Sequence, residues 1–172
     1  MRLLLHFGII DKETIAWNRE RGERMIELFP VSEDNITDFA DTSYSEMSDE
    51  ERLCMIRESM QTEHEGAYFE ILAVYNKDQI VGFMNLFAHS EHVISICPEI
   101  KRSFRGRCFG FLGEREALRY AKSRGYTVAT ASVRKDNPAS IALHKKLGFE
   151  EREERLSRNG KPIYVFIKHL DR

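Results

Sequence analysis

The stretch FRGRCFGFLGEREALRYA, residues 104–121, joins a glycine- and arginine-rich segment to a segment with helical periodicity. Gly110, Gly113 and Ala117 recur at spacings of three and four residues, which places them on one face of a helix over 108–124. Small residues on that face let the helix lie close to a sheet. A turn that opens a helix also presents unpaired backbone N–H groups at the positive end of the helix dipole. The stretch therefore predicts an anion-binding turn, and the alternative is a basic surface loop.

The segments on either side predict the strands of a mixed sheet. Apolar and β-branched runs predict strands at 24–29, 68–75, 80–88, 93–97, 127–133, 149–156 and 163–170. Helix start signals occur at Ser32, Ser48 and Asn137. Short connections make 68–97 an antiparallel meander, and Asn159-Gly160 predicts a closing hairpin. We therefore predict an α/β (α+β) fold with a mixed, mostly antiparallel central sheet and helices on both faces.

The composition limits the class of protein. A chain of 172 residues with 42% hydrophobic and 31% charged residues is typical of one soluble domain, 1–172, in which residues 1–23 match no predicted element. No apolar run reaches the roughly 18 residues of a membrane span, so we expect no membrane partner. The three cysteines lack metal-ligand spacing and make a poor disulfide framework. We therefore expect no metal and a cytoplasmic location.

The charges are unevenly distributed although the net charge is only −2. Residues 31–65 contain eleven Asp and Glu against two Arg, whereas residues 100–135 contain ten Lys and Arg against two Glu. One interpretation is a pair of solvated helical faces. The other is a basic region for a polyanion and an acidic region for a cation. Because the chain is acidic overall, we do not expect a nucleic-acid partner.

Two segments resemble the motifs of one enzyme family. FRGRCFG, within the opening stretch, resembles the R/Q-x-x-G-x-G/A pyrophosphate loop of GNAT-superfamily N-acetyltransferases. DNPASIALHKKLGFEE, residues 136–151, resembles the second motif of that family, N-x-x-A/S-x-x-L/F-Y-x-x-x-G-F. The second match is the more specific one and includes Asn137, Ser140, Leu143, Gly148 and Phe149. The resemblance covers about residues 24–170.

The resemblance implies the GNAT acyl-CoA N-acyltransferase fold, with acetyl-CoA as co-substrate between the strand ending at Cys97 and the strand at 127–133. It also implies transfer of the acetyl group to a primary amine by direct attack in a ternary complex. The alternative is a non-catalytic acyl-CoA-binding or regulatory module on the same fold. The cofactor-binding residues that the family implies are Ser95 and Ile96 for the pantetheine arm, Arg105, Gly106, Arg107, Cys108, Phe109 and Gly110 for the pyrophosphate, and Asn137 and Ser140 for the far end.

Three departures from the family pattern concern the site. Cys108 replaces the first glycine of the loop, and we expect its side chain to face the core rather than the cofactor. The segment PEIKRSFRG, which follows Cys97, has three more residues between its Pro-Glu and its Arg-Gly than the family usually has. His144 replaces the tyrosine of the second motif. An imidazolium at this position can donate a proton to the leaving thiolate, so His144 is a candidate general acid, and the alternative is a histidine on the helix surface.

The base for the incoming amine is less defined in the sequence. The segment HSEH places His89, Glu91 and His92 just before the predicted cofactor strand, and we select Glu91 as the catalytic candidate. Any of the three can act through water, or all three form an exposed turn. Glu70, in the middle of an apolar strand, is a further candidate.

Other side chains lead to weaker expectations. We predict that Cys54 and Cys97 fill the core. The acidic segment 31–65 predicts a cationic acceptor, because it corresponds to helices that border the acceptor groove in the proteins that this sequence resembles. The sequence leaves the oligomeric state open, a homodimer included.

Overall fold

The computed structural model describes residues 26–171, so the predicted extension 1–23 and the beginning of the predicted strand at 24–29 lie outside the described residues. The strands are β1 (Ile26–Pro30), β2 (Glu63–His64), β3 (Ala67–Asn76), β4 (Gln79–Ala88), β5 (Val93–Ile100), β6 (Val128–Arg134), β7 (Glu150–Leu156) and β8 (Pro162–His169). Seven of them follow the order β1-β3-β4-β5-β6-β8-β7, and β2 pairs with β3. Among the described strands, only β5 and β6 run parallel, so the predicted mixed, mostly antiparallel sheet is confirmed.

Three α-helices and three 3₁₀ helices complete the described fold. The α-helices are α1 (Asp49–Gln61), α2 (Phe109–Ser123) and α3 (Pro138–Lys146), and the 3₁₀ helices are Glu33–Asp41, Ser43–Glu46 and Arg102–Phe104. At the start of α1, the Ser48 hydroxyl accepts from the backbone N–H of Glu51 at 3.2 Å, and the Ser48 N–H donates to the Glu51 carboxylate at 2.7 Å. The signal at Ser32 opens a 3₁₀ helix rather than an α-helix, because the Asp, Asn and Thr residues that follow it are poor α-helix formers.

Each face of the sheet carries its own apolar cluster. Helix α2 packs on one face, where Val74, Met84 and Ile94 meet Ala117 of the helix. The other face buries Phe83 against Phe39 of the first 3₁₀ helix and Ile56 of α1. The rings of Phe39 and Phe83 stack with centroids 3.9 Å apart. The predicted helices on both faces are therefore confirmed.

The parallel strands β5 and β6 separate halfway along their length. They pair at only three positions, Val93 with Val128, Ile94 with Ala129 and Ser95 with Thr130. Beyond Ser95, β5 stays paired with β4, and β6 stays paired with β8 over its whole length. Because their outer edges hold the two strands to different neighbours, a cleft opens between Ile96–Ile100 on one side and the second half of β6 on the other.

Candidate active site

Helix α2 begins where the cleft opens. Its first intrahelical hydrogen bond runs from the Leu112 N–H to the Cys108 carbonyl at 3.0 Å, so the amides of Phe109, Gly110 and Phe111 precede the hydrogen-bonded helix. Gly106, earlier in the loop, has φ +75°, and a side chain there would meet no atom within 4 Å. The loop therefore presents backbone N–H groups and the positive end of a helix dipole towards open space, which is a site for an anion.

Cys108 does not face the core, contrary to the prediction from the sequence. Its side chain is exposed, and its backbone has φ 66° and ψ 8°, the left-handed region that favours glycine. The loop thus has the left-handed backbone conformation that favours glycine at the position where the family has a glycine, although the residue here is a cysteine.

Cys108→Gly is expected to stabilise the protein. A non-glycine residue in the left-handed region loses roughly 1 kcal/mol to steric strain, and an exposed thiol contributes little packing to offset it. We therefore expect the melting temperature of Cys108→Gly to rise by about 2–4 °C, measured by differential scanning calorimetry. The matched control is Cys54→Gly in the middle of α1, which should lower the melting temperature. If the melting temperature also falls for Cys108→Gly, the claim that the Cys108 backbone is strained is wrong.

The basic residues beside the loop are partly neutralised by acidic partners. The Arg105 guanidinium contacts the Glu99 carboxylate at 3.2 Å and donates to the Ile100 carbonyl at 3.1 Å. Lys101 pairs with Asp38 at 2.5 Å. The backbone N–H of Arg105 donates to the Arg102 carbonyl at 3.4 Å, so it already has a partner within the chain. The anion-binding part of the loop therefore starts after Arg105.

The second motif forms the N-terminus and one face of α3. The Asn137 side chain caps the helix by accepting from the Ser140 N–H at 3.1 Å, and Pro138 occupies the first turn. Both Asn137 and Ser140 are half-buried. Asn137 therefore fixes the start of α3 whatever else it contacts.

His144 lies in the interior rather than on the helix surface, with only 2% of its side chain exposed. Its Nδ1 lies 2.7 Å from the Ser140 carbonyl oxygen, and its Nε2 lies 3.2 Å from Oε1 of Glu114 on α2. The Glu114 side chain is fully buried, and neither of its carboxylate oxygens nor Nε2 of His144 has a hydrogen-bond partner, so the two groups are close without a hydrogen bond of normal geometry. Glu114 was not predicted from the sequence as a site residue, although its spacing of four residues from Gly110 puts it on the face of α2 that lies against the sheet.

The Glu114–His144 contact perturbs both groups. Burial raises the pKa of Glu114, and His144 opposes part of that rise. Burial lowers the pKa of His144, but the neighbouring Glu114 carboxylate and the Ser140 carbonyl outweigh burial and leave that pKa above its usual range. Both groups therefore have a higher affinity for protons than in water.

Cys97 lies on the part of β5 that lines the cleft. The prediction that its side chain fills the core is wrong. Its side chain is in contact with solvent, yet the surrounding protein raises the pKa of its thiol to about 11, with a smaller contribution from Glu114. The register pairs Cys97 with Asn85, which alternates with Met84 and Leu86 of the α2 face, so the Cys97 side chain lies on the α1 face of the sheet. Cys54 is also exposed rather than buried, on α1.

A pocket of about 490 Å³ lies on the face of the sheet that carries α1. It is lined by Met55, Glu58, His64, Glu65, Phe69, Phe87, His89 and Arg158. Glu58 and His64 are 2.9 Å apart. The His89 Nε2 is hydrogen-bonded to the Ser95 hydroxyl, which is 3.0 Å from the Thr130 hydroxyl. Ser95 and Thr130 are the last paired residues before the strands separate, so this chain of hydrogen bonds leads from the pocket to the cleft.

The other predicted acid–base residues lie elsewhere. Glu91 and His92 are exposed in the bend before β5. Glu70 is buried, and it accepts hydrogen bonds from the hydroxyls of Tyr68 and Tyr120, the latter at 2.8 Å. Its partners identify it as a satisfied structural carboxylate.

In the part of the chain that the structure describes, the mixed sheet has one parallel strand pair, which separates beside the N-terminus of a helix, and this is the architecture that the resemblance to the GNAT acyltransferases implies. Residues 16–149 match the family model described as the acetyltransferase (GNAT) family. The chain belongs to this family. Within the described residues, no helix is long and apolar enough to cross a membrane.

Solved structures share the fold at low sequence identity. The putative acetyltransferase yncA of Salmonella typhimurium, solved with acetyl-CoA, has a TM-score of 0.67 and 14% identity over 85% of this chain and 94% of its own. The Salmonella typhimurium enzyme that modifies the N-terminal serine of ribosomal protein L7/L12 has a TM-score of 0.72 and 14% identity, over 86% and 96% of the two chains. A variant of the Vibrio cholerae spermidine N-acetyltransferase SpeG has a TM-score of 0.72 and 13% identity, over 87% and 96%.

One curated relative matches a shorter segment. An uncharacterized N-acetyltransferase of Methanocaldococcus jannaschii is 39% identical over 62 residues. The match covers 36% of this chain, and the chain spans about a quarter (26%) of the length of that relative.

Proposed function

We propose that this protein is an N-acetyltransferase that moves the acetyl group of acetyl-CoA to a primary amine by direct attack in a ternary complex. The observation that carries the proposal is the cleft between β5 and β6, which has an anion-binding loop at one end and the polar pocket at the other. A thioester and an amine that enter from these opposite ends would meet between the separated strands.

The chain offers groups that fit acetyl-CoA. The backbone from Ile96 onwards has no partner on β6 and is available for the pantetheine arm, whereas Ser95 is already paired with Thr130. The loop Gly106–Gly110 and the dipole of α2 suit the pyrophosphate, and the Arg107 guanidinium, over the Phe104 ring at 5.7 Å, lies in the same loop. Bound there, acetyl-CoA supplies the activated acyl carbonyl.

The pocket suits a cationic acceptor. Glu58 and Glu65 supply negative charge, and the rings of Phe69 and Phe87 supply π-faces for an ammonium group. Arg158 lines the same pocket and carries a positive charge, which opposes the binding of a cation. We assign the removal of the amine proton to His89, because it is the member of the HSEH segment that lines the pocket and hydrogen-bonds to Ser95. Two of the structural neighbours act on amines, spermidine and an N-terminal serine.

The test of the proposal is transfer of a labelled acetyl group to a panel of amines, followed together with thiol release. The panel contains a polyamine, a lysine peptide, a peptide with a free N-terminus and a neutral alcohol. Transfer to an amine supports the proposal. Binding of acetyl-CoA without transfer to any amine would instead support the non-catalytic module.

Added salt is expected to raise the Michaelis constant for the amine. Exposed carboxylates attract a protonated amine over a distance that salt shortens, so we expect a rise of about two- to fivefold between low and high salt with saturating acetyl-CoA. The variant Glu58→Gln should reduce this dependence, and Glu50→Gln, on the exposed part of α1, is the matched control. A Michaelis constant that salt does not change would contradict the electrostatic role of the pocket.

A further inference from the structure

Segment 99–105 leads from the end of β5 to the anion-binding loop, and it includes the additional residues by which this chain departs from the family pattern. It is held by segment 38–45 of the acidic region, which contains the end of the first 3₁₀ helix and the beginning of the second. The contacts join residues 56 to 63 positions apart in the sequence. Four residue pairs form them: Ser43 with Glu99, Asp38 with Lys101, Asp41 with Ser103, and Ser45 with Arg102.

Two of these pairs are joined by two hydrogen bonds each. One carboxylate oxygen of Glu99 accepts from the Ser43 hydroxyl at 2.8 Å, and the other accepts from the Ser43 N–H at 3.2 Å. One carboxylate oxygen of Asp41 accepts from the Ser103 hydroxyl at 2.5 Å and from the Ser103 N–H at 3.2 Å. The bonds from Ser103 lower the pKa of Asp41, so the carboxylate is charged at neutral pH. Paired bonds to a charged group fix the orientation of the two segments as well as their separation.

The basic side chains of segment 99–105 bind protein groups. The Lys101 ammonium lies 2.5 Å from the Asp38 carboxylate, and only 13% of the Lys101 side chain is exposed. The charge pattern of the sequence assigned these basic residues to a polyanion. In the structure they hold carboxylates, a hydroxyl and a carbonyl of the chain itself: Lys101 contacts Asp38, Arg102 donates to Ser45, and Arg105 contacts Glu99 and the Ile100 carbonyl.

Segment 99–105 also fixes both ends of the exposed part of the anion-binding loop. Gly106 follows it directly in the chain. At the other end, the ring of Phe104 packs against the ring of Phe109, the first residue of α2, with centroids 6.0 Å apart. Phe109 is buried, with 5% of its surface exposed. A displacement of segment 99–105 would therefore move the backbone N–H groups of the loop relative to the N-terminus of α2.

We propose that Asp38 and Asp41 are positioning residues for acetyl-CoA: they hold segment 99–105 so that the loop Gly106–Gly110 keeps its N–H groups arranged for the pyrophosphate. Asp38 acts through Lys101, and Asp41 acts through Ser103. This inference rests on the proposed function, in which that loop binds acetyl-CoA. It assigns this part of the acidic region to the cofactor, whereas the charge pattern alone assigns the whole region to a cationic acceptor.

A charge swap between Asp38 and Lys101 separates positioning from long-range attraction. CoA is a polyanion, so attraction alone would make Asp38→Lys bind CoA more tightly and Lys101→Asp bind it more weakly. Positioning requires weaker binding in both variants, and we expect the dissociation constant to rise by at least about threefold in each. The double variant restores the ion pair with its charges exchanged, so its dissociation constant should return to within about twofold of the wild type. The measurement is titration calorimetry with CoA.

Two further variants keep the test independent of folding and of charge. Asp34→Lys, at an exposed position earlier in the same 3₁₀ helix, is the matched control and should not weaken the binding of CoA. Ser103→Ala removes one exposed hydroxyl and no charge. It should raise the dissociation constant of CoA as well, and it provides the test if a charge variant does not fold.

The kinetics of Ser103→Ala distinguish positioning of the cofactor from a general loss of structure. The KM for acetyl-CoA should rise, while kcat at saturation and the KM for the amine that the wild type acetylates should stay unchanged. A higher KM for the amine alone, a lower kcat at saturation, or a double charge variant that binds CoA no better than the single ones would overturn the inference while acetyl transfer stands. A wild type that binds no CoA would overturn the proposed function and this role with it.

Discussion

Gly82→Ala is expected to destabilise the protein strongly and to weaken binding at the loop. Gly82 lies on β4 opposite Ile100, and a Cβ there would be 2.5 Å from the Glu99 carbonyl oxygen and 2.9 Å from the Ile100 Cα. Backbone atoms of a paired strand cannot rotate away as a side chain can. We expect a loss of about 3 kcal/mol in the free energy of unfolding, which lowers the melting temperature by roughly 10 °C.

The same clash acts on the site. Glu99 and Ile100 end the separated part of β5, and both are bound by the Arg105 side chain. Displacement of Glu99 and Ile100 shifts the segment that leads into the anion-binding loop. We therefore expect the affinity for acetyl-CoA to fall as well. The measurement is titration calorimetry below the melting temperature.

Gly110→Ala is the matched control for stability. A Cβ at Gly110 would lie 3.6 Å from the side chains of Ile100 and Leu143, which is ordinary van der Waals contact. Alanine is the better helix former by up to about 1 kcal/mol, so Gly110→Ala should hold or raise the melting temperature. Equal melting temperatures for Gly82→Ala and Gly110→Ala would contradict a steric clash at Gly82.

The fold could be predicted because its signals are local. The start of α1 depends on Ser48 and Glu51, three residues apart, and the turn between β7 and β8 depends on Asn159-Gly160, where Gly160 has φ +71°. The misjudged element was the first 3₁₀ helix, Glu33–Asp41. Its N-terminal signal is genuine, since the Asn35 side chain accepts from the Ser32 N–H at 2.9 Å, but that local bond does not determine the type of helix that follows.

The turn that opens α2 could be predicted from the sequence, whereas the spatial arrangement of the candidate acid–base groups could not. The spacing of Gly106 and Gly110 before a helix is a local pattern. Glu114 and His144 are thirty residues apart, and the packing of α2 against α3 alone brings them together. The choice of His89 over Glu91 likewise depends on the pocket and on Ser95.

The cysteines show a general difficulty of prediction. Cys is among the most buried residue types, so core positions were expected for Cys54, Cys97 and Cys108. All three are exposed. For Cys97, the register puts the side chain beside Asn85 on the face of the sheet that carries α1. For Cys108 the cause of the exposure is a left-handed backbone conformation. A glycine at this position would have indicated that conformation in the sequence, and a cysteine does not.

His144→Gln is expected to lower kcat by about 10²- to 10⁴-fold, the usual contribution of a general acid, with little change in the affinity for acetyl-CoA. Glutamine is polar and of similar length, but it cannot become a cation at neutral pH. The lost interaction belongs to the transition state, where negative charge develops on sulfur, and so the ground-state complex should be nearly unaffected.

Two companion variants make the result interpretable. His169→Gln, at the exposed end of β8, should retain full activity. His144→Ala leaves a cavity beside Phe149 and Phe166, and added imidazole should restore part of kcat if proton donation is the missing function. The measurement is single-turnover thiol release with saturating amine, together with the dissociation constant of acetyl-CoA. His144→Gln with wild-type kcat, whatever its melting temperature, would remove His144 from the reaction, because a purely structural histidine changes stability and leaves the rate of thiol release as it is.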